Sequence, residues 1–304
     1  MNGPSAAEER LDGGRSGAIV AGHHQPGRIR VGIDSRLEAM YRGAKLLPGV
    51  RQVLERLYGR RFANERIDDL AYCGIYPDYA SALAHSPHTL PVGFDHEIET
   101  ERFVGLTRHV QSCDYPVLFW LEKLFGEGCE SVFDLGGNIG VKYYAFRRYL
   151  DYPTQLRWTV CELPTTIRAG EAWATRNDAD RRLRFTGDPA DASGQDILFA
   201  SGVLQYLDYT LPELLHGLAQ PPRYLLINVL PLHPRRSFFT VQKSAELYAP
   251  YRIEAQADFM QSIAACGYRL DDHWDQPRRC DIPFHVEYSI EEYHGFLFAR
   301  STRQ

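Results

Sequence analysis

The chain has 304 residues, enough for two domains or one large domain with an appendage, and long enough to bury a core without disulfides or a metal. Its 34 Lys and Arg against 39 Asp and Glu give a net charge of −5, which speaks against a nucleic-acid or anionic-membrane binder. No apolar run approaches the roughly 20 residues that span a bilayer, and the first residues lack a continuous signal-peptide core, so a cytoplasmic protein without a membrane role is expected.

Residues 1–34 are rich in Gly, Ser, Ala and charge without periodicity and read as a mobile tail. From Leu37 the apolar residues Leu37, Met40, Tyr41, Leu46 and Leu47, then Val50, Val53, Leu54, Leu57 and Tyr58 recur at three and four residues, which predicts two amphipathic helices broken near Pro48. Residues 72–93, with Pro77, Pro87 and Pro91 among aromatics, read as a loop. Further helices are expected from His96 toward Arg108 and over Tyr115 to Phe125, completing a helical cap over 35–127.

From Ser131 the character changes to short, β-rich apolar runs: SVFDL, RWTVCEL, LRFTG, DILFAS and RYLLINVL. Helical stretches lie between them at Val141 to Leu150, Thr165 to Arg176 and Leu211 to Ala219. A helix at Ala257 to Ala265, the strand GYRLDDHW, a Pro-interrupted loop and a last strand YHGFLFAR follow. Alternating strands and helices predict an α/β fold with a doubly wound, mostly parallel sheet over 128–304. The six cysteines stand singly and the eleven histidines are scattered, so neither a disulfide framework nor a metal site is expected.

The most informative segment is Asp134-Leu135-Gly136-Gly137-Asn138-Ile139-Gly140, directly after the first α/β strand and before a helix, where open α/β sheets bind ligands. A phosphate loop would need Lys-Ser or Lys-Thr after its last glycine, and a dinucleotide fingerprint would need glycine where Asn138 stands. An acidic residue, one residue and then Gly-Gly-x-x-Gly resembles the first motif of class I S-adenosylmethionine-dependent methyltransferases. The later strand ends match in order. Glu162 ends the next strand about 26 residues after Gly136, near the roughly 20-residue offset at which a carboxylate meets ribose hydroxyls. Asp188 closes the third strand, and Ser201-Gly202-Val203-Leu204-Gln205-Tyr206 follows the fourth.

The resemblance implies a Rossmann-like, seven-stranded methyltransferase fold with S-adenosyl-L-methionine as cofactor. It places the cofactor on Asp134, Gly136, Gly137, Asn138, Gly140, Glu162, Leu163, Asp188, Ser201, Gly202 and Tyr206. Plainer alternatives stand beside some of these: a helix cap for Asp134, an exposed strand-end carboxylate for Glu162, a turn for Asp188, and packing at a helix start for Tyr206 with its neighbour Gln205. The stretches Cys73 to Ala80, Ala200 to Tyr206 and Asp281 to His285 are also similar to a family of bacterial methyltransferases found among surface-polysaccharide and natural-product biosynthetic functions.

Methyl transfer is an in-line displacement, so catalysis is positioning plus, for a hydroxyl acceptor, removal of a proton. The end of the fifth strand, Asn228 to His233, places Asn228 and His233 near the rim, and His285 lies between the last two strands; His233 and His285 are the candidate bases. A carboxylate acceptor would need no base and would suit Arg235 and Arg236 as an anion clamp. Tyr72, Tyr76, Tyr79, Phe119 and Trp120 are candidates for pocket walls or for the core of the cap. The expected partner is a small-molecule acceptor, with a homodimer left open. The runner-up function is a cofactor-binding partner protein on the same fold, without turnover.

Overall fold

The computed structural model describes residues 49–64, 70–95 and 100–301. The expected tail over 1–34 and the helix expected from Leu37 lie outside the described residues, as does the start of the helix expected at His96. In chain order the elements are α1 (Val50–Asn64), β1 (Ala71–Tyr76), α2 (Tyr79–Ala84), α3 (Thr100–Leu106), α4 (Tyr115–Gly126), β2 (Ser131–Leu135), α5 (Val141–Phe146), β3 (Arg157–Cys161) and α6 (Pro164–Asn177). There follow β4 (Leu183–Thr186), β5 (Ile197–Ser201), α7 (Leu211–Gly217), β6 (Tyr224–His233), β7 (Phe238–Lys243), β8 (Tyr248–Ala255), α8 (Gln256–Ala265), β9 (Tyr268–Cys280) and β10 (Ile290–Arg300).

Local chemistry sets the helix starts. Pro116 and Pro164 stand in the first turns of α4 and α6, where an amide hydrogen is not needed. Thr210 and Glu213 form a reciprocal capping box on α7. The side chain of Asp78 accepts from the Ser81 amide to start α2.

The strands β4-β3-β2-β5-β6 pair in parallel, and β6 continues through the antiparallel pair β10-β9, giving the mostly parallel sheet that the alternation predicts with the seven strands that the resemblance implies. Every residue of β2 is buried, as a strand covered on both faces requires. Its side chains divide between two layers. On one face Val132, Trp158, Ile197 and Phe199 meet Leu118, Leu121 and Leu124 of α4 and Tyr143 and Phe146 of α5. On the other, Phe133, Leu198, Leu225 and Ile227 meet Leu211 and Leu215 of α7 and Phe259 and Ile263 of α8.

Three further strands extend the expected sheet. The end of β6 pairs with β8 through Leu232 and His233, and β8, β7 and β1 follow as an antiparallel unit. The loop expected over 72–93 therefore holds a strand and a short helix, and the cap segment is not helical throughout. Residues 238–255, which gave no expected element, form the β7–β8 hairpin. The Pro-interrupted loop expected after GYRLDDHW begins inside β9, which among the described residues pairs with β10 alone; Pro277 is tolerated on this sheet edge. Among the described residues, no helix is long and apolar enough to cross a membrane.

The amino ends of β2 and β5 are knitted by Asp196, whose carboxylate accepts from the amides of Glu130 and Ser131 at 2.9 and 3.1 Å and from the Ser131 hydroxyl at 2.9 Å. Removing it leaves the buried Ser131 amide without its acceptor. Asp196→Ala should lower the unfolding free energy by about 1–3 kcal/mol in urea titrations, while ligand binding at the opposite, carboxyl end of the sheet stays unchanged.

Candidate functional site

Leaving β2, the chain turns through three left-handed residues, Gly136 (φ 71°), Asn138 (φ 57°) and Gly140 (φ 87°), before entering α5. The Gly136 amide donates to the Cys161 carbonyl at 2.9 Å, which ties the loop to the end of β3. The Asn138 side chain accepts from the Ile139 amide at 2.8 Å, a local bond that suits asparagine to this backbone. At Gly137 the constraint is space: a Cβ there would occupy the position of the Asp134 carboxyl group.

That carboxyl group is 1% exposed and accepts a hydrogen bond from the Trp158 indole at 3.0 Å, so Asp134 is held beneath the loop and does not cap α5. Burial pushes its pKa up to about 7, against the opposing pull of the indole hydrogen bond and of Lys142. Glu162, at the end of β3, accepts from the Asn138 amide at 2.9 Å and from the Leu163 amide at 3.0 Å. Its pKa is also raised by burial, offset in part by those two amides. One carboxylate thus lies under the loop and another grips its crest. The exposed strand-end alternative for Glu162 does not hold.

The other expected residues divide between two places. The side chain of Leu163 is exposed beside Glu162, and Asp188 spends its carboxylate on the Ala190 amide as the cap of a short 3₁₀ turn. Gly202 (φ 69°) donates its amide to the Asn228 carbonyl at 2.9 Å, and the Val203 side chain fills the space over Gly136, so the loops after β2 and β5 touch. Ser201 ends β5 opposite Asn228. Tyr206 is turned the other way. Its hydroxyl donates to Gln242 at 2.9 Å and its ring packs against Tyr251 and Phe94.

The histidines depart from expectation. His233 is buried inside the end of β6; its Nδ1 accepts from the amides of Arg235 and Arg236, both at 3.0 Å, and its Nε2 donates to the Glu287 carbonyl at 2.9 Å. The ring is thereby fixed as a neutral tautomer whose lone pair is occupied, and burial lowers its pKa further. His233 organises the turn after β6 and has no free nitrogen with which to take a proton. The ring of His285 packs edge-on to Tyr288, 6.1 Å between centres, and among the described residues no hydrogen bond or ring contact links it to the glycine loop.

Two clusters escape sequence analysis. Asp114 and Lys142 form a buried ion pair at 2.6 Å, and the Asn228 amide donates to the Cys113 carbonyl at 3.1 Å while its oxygen accepts from Trp274 at 3.1 Å and Gln276 at 2.6 Å. This network joins the turn before α4, the first turn of α5, β6 and β9. Beyond it, Tyr72, Tyr206, Tyr251 and Tyr293 gather around Arg278, whose guanidinium lies 4.9 Å over the Tyr293 ring. Tyr251 and Tyr293 share a hydroxyl contact of 2.8 Å, and Gln242 donates to Tyr72 at 3.0 Å. The backbone bends between the two clusters, where Val229 takes φ 57°, a strained value for a β-branched residue, and the register of β6 on β10 shifts. The signal for the second cluster is the run Tyr248 to Ala255, which carries strand residues around a proline.

No protein-family model matches the chain, and no curated protein is similar to it. Solved structures with a similar course include the 1,6-didemethyltoxoflavin N1-methyltransferase of Burkholderia thailandensis, at 15% identity over 69% of this chain and 94% of that one, with a TM-score of 0.42. The magnesium protoporphyrin IX methyltransferase of Synechocystis is 13% identical over 68% of this chain and 90% of that one, with a TM-score of 0.43. A glycopeptide N-methyltransferase is 14% identical over 64% of this chain and the whole of its own, with a TM-score of 0.41.

The raised pKa of Asp134 has a consequence for stability. Below the carboxyl's ordinary value both folded and unfolded chains hold the proton; between that value and about 7 only the folded chain does, so stability is lost as pH rises through this window. Urea unfolding of the ligand-free protein should show a wild-type stability that falls relative to Asp134→Asn by up to about 1.4 kcal/mol per pH unit between roughly pH 4 and 7, then levels off. A difference that stays constant with pH would refute the placement of a protonatable carboxyl under Gly137.

Proposed function

We propose that this protein is an S-adenosylmethionine-dependent methyltransferase acting on an oxygen of a small biosynthetic acceptor. The observation that carries the proposal is the loop itself: three left-handed residues and a glycine pressed onto a buried carboxyl, gripped from β3 by Glu162, at the carboxyl end of a parallel sheet. When bound, S-adenosylmethionine supplies a methyl group activated by a sulfonium.

The residues of this chain fit such a ligand. The backbone of Gly136 to Gly140 turns tightly because Val203 and the Asp134 carboxyl occupy the side-chain positions of Gly136 and Gly137, and the Glu162 carboxylate at its crest is complementary to a cation. Glu162 can exchange its amide partners for ribose hydroxyls, since both are charge-assisted bonds of the same kind. Leu163 offers an apolar contact beside it. Ser201 and Gly202 bound the opposite side, and Asp188 keeps the turn after β4 in place.

On the acceptor side, Arg278 among four tyrosines favours an oxygen that is already acidic, a carboxyl or a phenol. A guanidinium orients such a group and holds it ionised, so no side chain needs to take its proton. That chemistry agrees with His233 having both ring nitrogens bonded. Aromatic walls exclude water that would compete for the methyl group. The net charge of −5 favours a small molecule over a nucleic acid as acceptor.

Calorimetry should show S-adenosylmethionine and its demethylated product binding in the micromolar range, ahead of NAD; preference for NAD would overturn the proposal. Glu162→Ala should weaken that binding about ten- to a hundredfold, the equivalent of roughly 1.5–3 kcal/mol for a charge-assisted bond. Transfer of a radiolabelled methyl group to carboxylic and phenolic acceptors separates an enzyme from a partner protein that only binds the cofactor.

A further inference from the structure

The strand pair β9–β10 brings together three donors that lie far apart in any spacing rule. Asp275 stands directly opposite His294, and His273, two residues before Asp275, shares its face of the sheet. Nε2 of His273 lies 2.9 Å from Oδ1 of Asp275, Nδ1 of His294 lies 2.7 Å from the same oxygen, and the two nitrogens are 3.2 Å apart. Each residue contributes one atom, and the three atoms form a nearly equilateral triangle.

Protons alone serve this triangle badly. If both imidazoles donate to the one carboxylate oxygen, their hydrogens are crowded side by side; if one nitrogen accepts instead, it gives up the carboxylate. A cation above the triangle uses the lone pairs of all three. Donors bound at about 2.0–2.2 Å around a tetrahedral or octahedral ion lie roughly 3 Å apart, the separation found here. The rings are also fixed in orientation: His273 stacks on His294 at 27° and on Phe296 at 19°. The His294 side chain is 8% exposed and forms the floor, while His273 and Asp275, at 32% and 47%, leave the outer side open to water and to an entering ion.

We infer that His273, Asp275 and His294 bind a divalent transition-metal cation of the zinc type, three protein ligands on one side and water on the other. Two imidazoles and one carboxylate suit zinc, cobalt, nickel or ferrous iron; magnesium and calcium prefer oxygen donors throughout. The site corrects the expectation of no metal, which rests on sequence spacing, because cross-strand pairing supplies the third ligand. Trp274 and Gln276 point to the other face, toward Asn228, so the ion sits apart from the glycine loop and clamps the edge strand to its neighbour.

The test uses the full chain, stripped with a chelator, dialysed against zinc or cobalt and measured for bound metal, for the visible spectrum of the cobalt form and for thermal unfolding. Wild type should retain one equivalent, and zinc at about a hundredfold excess over its Kd should raise Tm by about 4 °C. His273→Ala and Asp275→Asn, both at partly exposed side chains, should lose the equivalent and the shift while matching the stripped wild type in circular dichroism. The double change His23→Ala and His24→Ala should keep both. No retained metal in wild type, or an equivalent that survives His273→Ala and Asp275→Asn, overturns the inference.

Discussion

The Asp134 carboxyl group, standing where a side chain at Gly137 would begin, is the constraint on which the candidate site depends. A carboxyl group in the middle of a fully buried strand costs free energy unless it is bonded or neutral, and here it is both partly bonded and inclined to hold its proton. The Trp158 indole supplies the bond, which makes the largest core side chain also the one that fixes the polar group. Glycine at 137 follows from lack of space, the left-handed turns from the need to lift the chain over the carboxyl, and the Glu162 grip from the amide that this turn exposes. A change at any of these positions would be transmitted to the others through contact.

The strand β6 carries the second half of the architecture. Its first five residues pair with β5 as an ordinary parallel strand. After the bend at Val229 its end serves a different neighbour, β8, and so opens the added sheet that holds the tyrosine cluster. Asn228 stands at the transition, its side chain saturated by Cys113, Trp274 and Gln276. Backbone strain here buys a change of direction, and its position between the glycine loop and Arg278 agrees with the tendency of strain to gather at functional sites.

Histidine chemistry is settled by hydrogen bonding more than by position. His233 lies at the end of a central strand, where a base would be sought, yet two consecutive backbone amides claim its acceptor nitrogen. His273 and His294 carry no motif and stand on an edge pair, yet their nitrogens converge on one carboxylate. What distinguishes the two cases is the number of lone pairs left after the backbone has been served.

The sequence by itself determined the parallel α/β order, the glycine loop and the acidic residue at the next strand end, because these depend on short-range patterns: buried runs, a turn needing positive φ, and fixed offsets within one βαβ unit. It also determined most strand and helix identities from Ser131 to Ala219. Only the tertiary structure decided that residues 71–76 and 238–255 form strands, since their apolar residues read equally as loop and become strand only by pairing with each other. It likewise decided that Asp114 meets Lys142, that His233 is spent on amides, and that His294 meets His273 and Asp275. Those contacts join side chains across long sequence separations, and no local period encodes which of many polar residues a folded sheet will bring within bonding distance.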